Sequence, residues 1–170
     1  MKFKGLWMLM MGLICSVTVF AQDEPEEPAY KRFPIVPKFE ILATDSVSII
    51  TRDDFKKNKP VLIMYFSPDC DHCQDQVSDI LKNVDKLKNV QILLTSYQPL
   101  EKIRAFKEKN QLDKYPNIFI GRDTQYFIPS FFDVANLPFL AFYDKKQNLL
   151  FAHEGNVKPA KILNVFKGQL

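Results

Sequence analysis

The stretch that most constrains this chain is residues 60–80, which read P-V-L-I-M-Y-F-S-P-D-C-D-H-C-Q-D-Q-V-S-D-I. Residues 61–66 are an unbroken run of apolar and β-forming side chains, the pattern of a strand buried on both faces, and Ser67, Pro68 and Asp69 punctuate it. Val77, Ile80, Leu81, Val84 and Leu87 then recur at the i, i+3, i+4, i+7 spacing of a helix with one buried face. That spacing predicts Cys70 and Cys73 in the first turn of the helix. Free N–H groups and the positive end of the helix dipole favour an anion there, so a thiol in that place loses its proton more readily. Two intervening residues also let the pair close into a disulfide and reopen.

Buried strand, short loop, C-x-x-C and amphipathic helix agree on a redox-active dithiol. Two bland readings compete with it. A zinc site needs about four ligands. Beyond Cys70 and Cys73 the chain offers only Cys15, in a leader that export removes, His72 inside the motif, and His153. A purely structural bridge closing so short a loop gains little entropy.

The chain has 170 residues, enough for one domain with a proper core. Lys2 and Lys4 precede an apolar run over residues 6–20, and Val19, Phe20 and Ala21 stand before Gln22. This is the layout of a signal peptide over residues 1–21, cleaved after Ala21. An N-terminal membrane anchor is the alternative, since the run is near the lower length limit for a span. Ile14 before Cys15 is not the small residue that lipid attachment wants. Without Lys2 and Lys4, 21 Lys+Arg face 20 Asp+Glu, a net of about +1. So small a charge, with no Lys/Arg cluster interleaved with aromatics, implies no nucleic acid partner. Cleavage leaves Cys70 and Cys73 as the only pair in an exported, oxidising compartment, the bacterial periplasm in this reading.

Residues 22–38 are acidic and then proline-rich (Pro25, Pro28, Pro34, Pro37), and read as a flexible linker before a domain over residues 39–170. Residues 39–43 and 47–50 are expected as a hairpin around the turn 44–46, and residues 51–55 lead into a turn of helix. A strand follows over 90–95, then a helix over 99–110 with Leu100, Ile103 and Phe106 on one face. Residues 117–120 read as a short strand and 124–132 as a short aromatic helix or turn. Strands over 139–143 and 149–153 precede a closing helix over 158–166. The order of elements argues for an α/β fold, a mixed sheet with helices on both faces.

The strand ending at Phe66, the Cys70-Asp71-His72-Cys73 motif, Leu137-Pro138 before a strand and Gly155 after the last hairpin strand together resemble the three-layer thioredoxin fold. The segment over residues 97–136 looks like the helix-strand insertion of the TlpA-like exported thiol-disulfide oxidoreductases, relatives of the AhpC/TSA redoxins. From about Phe39 to the end the chain is similar to them. The resemblance implies Cys70 as the exposed nucleophile, Cys73 as the buried resolving thiol, and Pro138 as a cis-proline facing both. The main chain at Leu137 would pair with an extended substrate segment. The activity implied is reduction of disulfides in exported proteins, fed by a membrane or periplasmic thiol donor, with no metal and no cofactor beyond the Cys70–Cys73 disulfide. Three positions depart from the pattern. Met64 stands where thioredoxin has a buried Asp, Gln76 where many TlpA-like reductases have Glu, and Asp69 where Trp usually precedes the first cysteine. Asp75, one residue from Gln76, is then a candidate proton carrier, with a solvated carboxylate in the first turn of a helix as the stronger competing reading. Leu137 stands where reductases often carry Thr.

A charged His72 would stabilise the Cys70 thiolate and make the pair more oxidising, while Asp69 and Asp71 push the other way. Each is worth about 0.3–1 kcal/mol against about 1.4 kcal/mol per 30 mV, so the charges nearly cancel. Isomerase or oxidase action is therefore the near alternative to reduction. Three other readings remain. Ser67-Pro68-Asp69-Cys70 is similar to the site of Sco-like copper proteins, with His153 as third ligand, although that family spaces its cysteines one residue wider. A non-catalytic binding module would dock through Tyr126, Phe127, Phe131 and Phe132, residues that a core explains as well. A peroxidase would use Ser67 and an arginine that no motif picks out between Arg104 and Arg122.

Overall fold

A computed structural model describes residues 27–169. The expected signal peptide with Cys15, and residues 22–26 of the expected linker, lie outside the described residues. Among the described residues no helix is long and apolar enough to cross a membrane.

The central strand is β3 (Val61–Tyr65), buried at every position, as its unbroken apolar run requires. It lies parallel to β4 (Gln91–Ser96) and antiparallel to β6 (Phe139–Tyr143), with Tyr65 beside Thr95 on one side and Phe139 on the other. β4 pairs in parallel with β5 (Ile118–Arg122). Beyond β5 sits the amino-terminal hairpin of β1 (Glu40–Ala43) and β2 (Ile49–Thr51), and beyond β6 lies β7 (Leu149–Glu154). The seven strands run β2-β1-β5-β4-β3-β6-β7. β5 can approach β1 because Gly121 has no side chain; a Cβ there would fall 2.5 Å from the Leu42 carbonyl oxygen. The hairpin turn is set by Asp45, whose Oδ1 accepts from the N–H groups of Val47 (2.9 Å) and Ser48 (2.8 Å).

Helices cover both faces, making three layers. On one face α2 (Asp71–Lys82), α4 (Leu100–Lys109) and α6 (Pro159–Phe166) press Val77, Ile80, Ile103, Phe106, Ile162 and Val165 onto Leu62, Met64 and Phe66 of the sheet. On the other, α1 (Ala29–Arg32) and α5 (Phe127–Phe132) cover Ile63, Tyr65 and Phe139. The apolar periodicity predicts one helix through Leu87, but the structure breaks it at Asn83. Its side chain turns back to the Asp79 carbonyl (3.0 Å), the local competition for backbone bonds that makes Asn end helices. A separate turn, α3 (Val84–Leu87), then carries Leu87 into the core.

The expected flexible linker also differs. Residues 29–38 are held to the fold at separate points: Tyr30 meets Phe132 at 5.6 Å between ring centroids and Val36 is wholly buried, while residues 31–35 between them are exposed. The chain here runs along β7, where the Leu149 N–H donates to the Pro34 carbonyl (2.8 Å) and the Val36 N–H to the Gln147 carbonyl (3.0 Å). Prolines lower a segment's capacity to pair without abolishing it, because the carbonyls stay available, and here Val36 and Tyr30 add packing against the core.

Candidate redox site

The site forms at the carboxyl end of β3. The chain leaves the strand through Ser67, whose hydroxyl accepts from the Asp69 N–H (3.3 Å) and whose carbonyl accepts from the Cys70 N–H (3.1 Å). Cys70 is thereby placed as the N-cap of α2, in extended conformation, and its Sγ accepts from the Cys73 N–H (3.3 Å). A thiol thus occupies the place usually held by a Ser or Asp oxygen. The Cys73 S–H donates to Cys70 Sγ with the sulfurs 2.7 Å apart, both cysteines being free thiols. Cys70 is half-buried and Cys73 is fully buried. Burial pushes the Cys73 thiol up to about 12, helped by its bond to Cys70 and opposed by the backbone bond to Ser67.

A three-residue loop after β7 ties this turn to the start of β6. The Gly155 N–H donates to the Pro138 carbonyl (2.7 Å), and the Leu137–Pro138 peptide is cis. Gly155 takes φ +87°, a left-handed conformation that glycine adopts freely. Asn156 Nδ2 donates to the His72 carbonyl (2.9 Å). Val157 is held at both backbone atoms by Gln76: its N–H donates to Oε1 (2.6 Å) and its carbonyl accepts from Nε2 (3.2 Å). Just before the loop, Glu154 accepts from the Ala135 N–H (2.6 Å) and Asn136 Nδ2 (2.8 Å), fixing the approach to Leu137. Partial burial raises its carboxyl pKa, but the bonds from Asn136 and Ala135 outweigh that and hold it below the ordinary carboxylate range.

The remaining sequence candidates are placed unevenly. Asp71 and His72 are exposed at the first turn of α2, beside Cys70. Asp69 forms an ion pair with Lys102 of α4. Asp75 is exposed, and two positions along a helix is about 200° of rotation, so it does not share the face of Cys73. Met64 is buried in the core beneath α2. Leu137 packs against both core clusters at the margin of the site. Of the aromatic set, Phe132 is core, Phe127 and Phe131 are half-buried, and Tyr126 is 54 % exposed.

His153 lies on β7, stacked on Phe151, and no group of three or more His, Cys, Asp or Glu side chains among the described residues is placed to hold a metal ion. Arg104 is bound to the Thr44 carbonyl and Ser46, and Arg122 Nε donates to the Tyr97 carbonyl (3.3 Å). Sequence reasoning missed the part played by Asn156, and treated Gln76 only as a departure. Yet Gln76 shares the inward stripe of Cys73, Val77 and Ile80, and a polar residue in such a stripe signals a specific bond.

A model of the AhpC/TSA family matches residues 35–161. The chain belongs to that family. Among AhpC/TSA-like and thioredoxin-fold structures it is similar to a secreted Mycobacterium tuberculosis disulfide oxidoreductase homologous to E. coli DsbE. The TM-score there is 0.64 at 12% identity, over 77% of this chain and 96% of that one. It is also similar to MTB dsbF, with TM-score 0.64, 18% identity and coverage of 79% and 99%. The exposed lipoprotein thioredoxin of Streptococcus pneumoniae gives TM-score 0.61, 20% identity and coverage of 78% and 99%. At such identities the likeness is one of fold, and the fold is thioredoxin-like. None of the curated proteins compared matches the chain. Family and fold together make the chain an AhpC/TSA-family protein of thioredoxin-like fold.

Proposed function

We propose that this AhpC/TSA-family protein is an exported thiol-disulfide oxidoreductase that reduces disulfides in other exported proteins through Cys70 and Cys73. One observation carries the reading: an accessible sulfur at a helix start with a buried second sulfur 2.7 Å behind it. Cys70 is the attacking atom, because negative charge on it meets the Cys73 N–H and the positive end of α2. Its thiolate attacks one sulfur of the partner's disulfide, forms a mixed disulfide and releases the other partner sulfur as thiolate. Cys73 then attacks Cys70 Sγ, loses its proton to the departing partner thiolate, and closes the Cys70–Cys73 disulfide. Two electrons have passed to the partner. A thiol donor of the membrane or periplasm must return them. Export rests on the leader pattern of residues 1–21 and agrees with the secreted and lipoprotein character of two structural neighbours. In this reading the site residues as a set, Cys70, Cys73 and Pro138 with Leu137 and the flanking Asp69, Asp71, His72 and Asp75, work with no metal or cofactor beyond the Cys70–Cys73 disulfide, and the thiol donor supplies only electrons.

The test is the equilibrium potential of the Cys70/Cys73 pair, read by thiol alkylation across glutathione and dithiothreitol buffers. Reductase action requires a value near or below about −250 mV, while one near about −120 to −180 mV overturns it in favour of oxidase or isomerase action.

A further inference from the structure

On the buried face of α2, Gln76 is the one polar side chain among Cys73, Val77 and Ile80. It is fully buried, one helical turn beyond Cys73, and both ends of its amide are spent on one residue 81 positions away in sequence. A leucine would fill similar space with no polar atom to satisfy, and burying an amide is unfavourable unless its bonds are made. What the amide adds over a leucine is direction. It fixes Val157 in one place, and with it a loop whose other two members hold the His72 and Pro138 carbonyls.

We propose that Gln76 is the positioning residue of the redox site: its double bond-pair to Val157 sets how Cys73 stands behind Cys70 and how the start of α2 is held relative to the Pro138 segment that the same loop binds. This rests on the reading of Cys70–Cys73 as an exchange centre. The loop Gly155–Asn156–Val157 acts as a bracket with three attachments, to the residue before Cys73, to the residue a turn after it, and to the strand start opposite. Loosening the Gln76 attachment lets the start of α2 shift relative to Pro138. Cys70 is then still free to attack, since it needs only its own exposure. The step that suffers is the second one, in which Cys73 Sγ must meet Cys70 Sγ in line with the departing partner sulfur. An amide neither takes nor gives a proton, so Gln76 affects this step through geometry alone.

The reduced protein carrying Cys15→Ser, so that Cys70 and Cys73 are its only thiols, mixed with one equivalent of dithiobis-nitrobenzoate reads the two steps separately. Cys70 attack releases one coloured thiolate and forms the mixed disulfide; Cys73 attack on Cys70 releases the second. Gln76→Leu is expected to leave the first phase within about twofold and to slow the second at least about tenfold, short of the roughly hundredfold that a misplacement of about 1 Å can cost. Asn156→Ala, at an exposed position, removes a single attachment and is expected to slow the second phase a few-fold. Should Gln76→Leu not fold, the Asn156 variant decides alone. Both phases within twofold of the parent protein, whatever the change in melting temperature, overturn the proposal and leave Gln76 a packing residue. Release of only one thiolate by the parent protein is a different failure, that of the exchange reading itself.

Discussion

Two strand-to-helix turns at the same end of the sheet have been finished in opposite ways. β5 leads through Asp123 into α5, and the Asp123 carboxylate, 1 % exposed, accepts from the N–H groups of Gln125 (3.2 Å), Phe127 (3.1 Å) and Ile128 (2.8 Å). β3 leads through Ser67 into α2, where the corresponding acceptor is Cys70 Sγ, taking the Cys73 N–H at 3.3 Å. Helix starts present free N–H groups wherever they occur. A carboxylate satisfies them permanently, and α5 becomes a closed piece of architecture. A thiol satisfies them loosely and stays half-buried, so the same donors stand ready for the charge that the proposed exchange would bring and remove. The turn proposed as reactive is the one whose cap is a soft sulfur rather than a carboxylate.

The comparison breaks most simply at the sulfurs. Cys70→Ser is expected to abolish disulfide reduction, while Cys73→Ser is expected to accumulate the mixed disulfide, seen as a covalent adduct by non-reducing electrophoresis and mass spectrometry. If Cys73→Ser turned over at the parent rate, the division of labour between the two sulfurs would be wrong. At the other turn, Asp123→Ala leaves three backbone donors without their acceptor and is expected to cost about 3 kcal/mol in denaturant unfolding. The reduction potential should not move. A potential that shifted with Asp123 would mean that the two turns are coupled after all.

Next comes pH. The Cys73 thiol ionises near 9.0 when unperturbed and is pushed up to about 12 in the fold, burial being the main cause. The unfolded chain therefore loses this proton first. Stability of the dithiol protein is whole below about 9 and declines as pH rises from there toward about 12, whereas the disulfide form has no such thiol and lacks this slope. Tyr65 and Tyr143, also raised by burial, act in both forms and cancel in the difference. Parallel melts of the two forms across alkaline pH check this.

The smallest effect is electrostatic. Lys102→Met leaves the Asp69 charge next to Cys70 unopposed, which disfavours the thiolate and hence the reduced form. The potential should fall by about 5–20 mV, from about 0.3–1 kcal/mol for an exposed pair, and added salt should close the gap.

The β3–Cys70–α2 unit was legible because each of its signals is local: a run of apolar residues, a Ser-Pro break, a two-residue gap between cysteines, a 3.6-residue stripe. The same holds for β6 and β7, where the sequence pattern lies within one residue of the observed strands. What was hidden depends on a partner far along the chain. Nothing near Pro34 says that Leu149 will donate to its carbonyl, so proline density there pointed to a tether. Asp123 carries a local N-cap signal that the aromatic residues after it obscured. Gln76 and Asn156 acquire their role only once Val157 and His72 are brought beside them, across more than eighty residues.

The amino-terminal strap has one more consequence. β7 ends the row of strands, and an uncovered edge offers unpaired backbone groups on which another molecule can continue the sheet. At the opposite end β2 is three residues long, a poor template. At β7, which is six, Pro34 and Val36 fill the opening stretch and offer a copy of the chain little to grip. A shortened protein beginning at Phe39 would keep both cysteines and all seven strands, yet stand bare along that border, and self-association on storage is the fate to watch for in it.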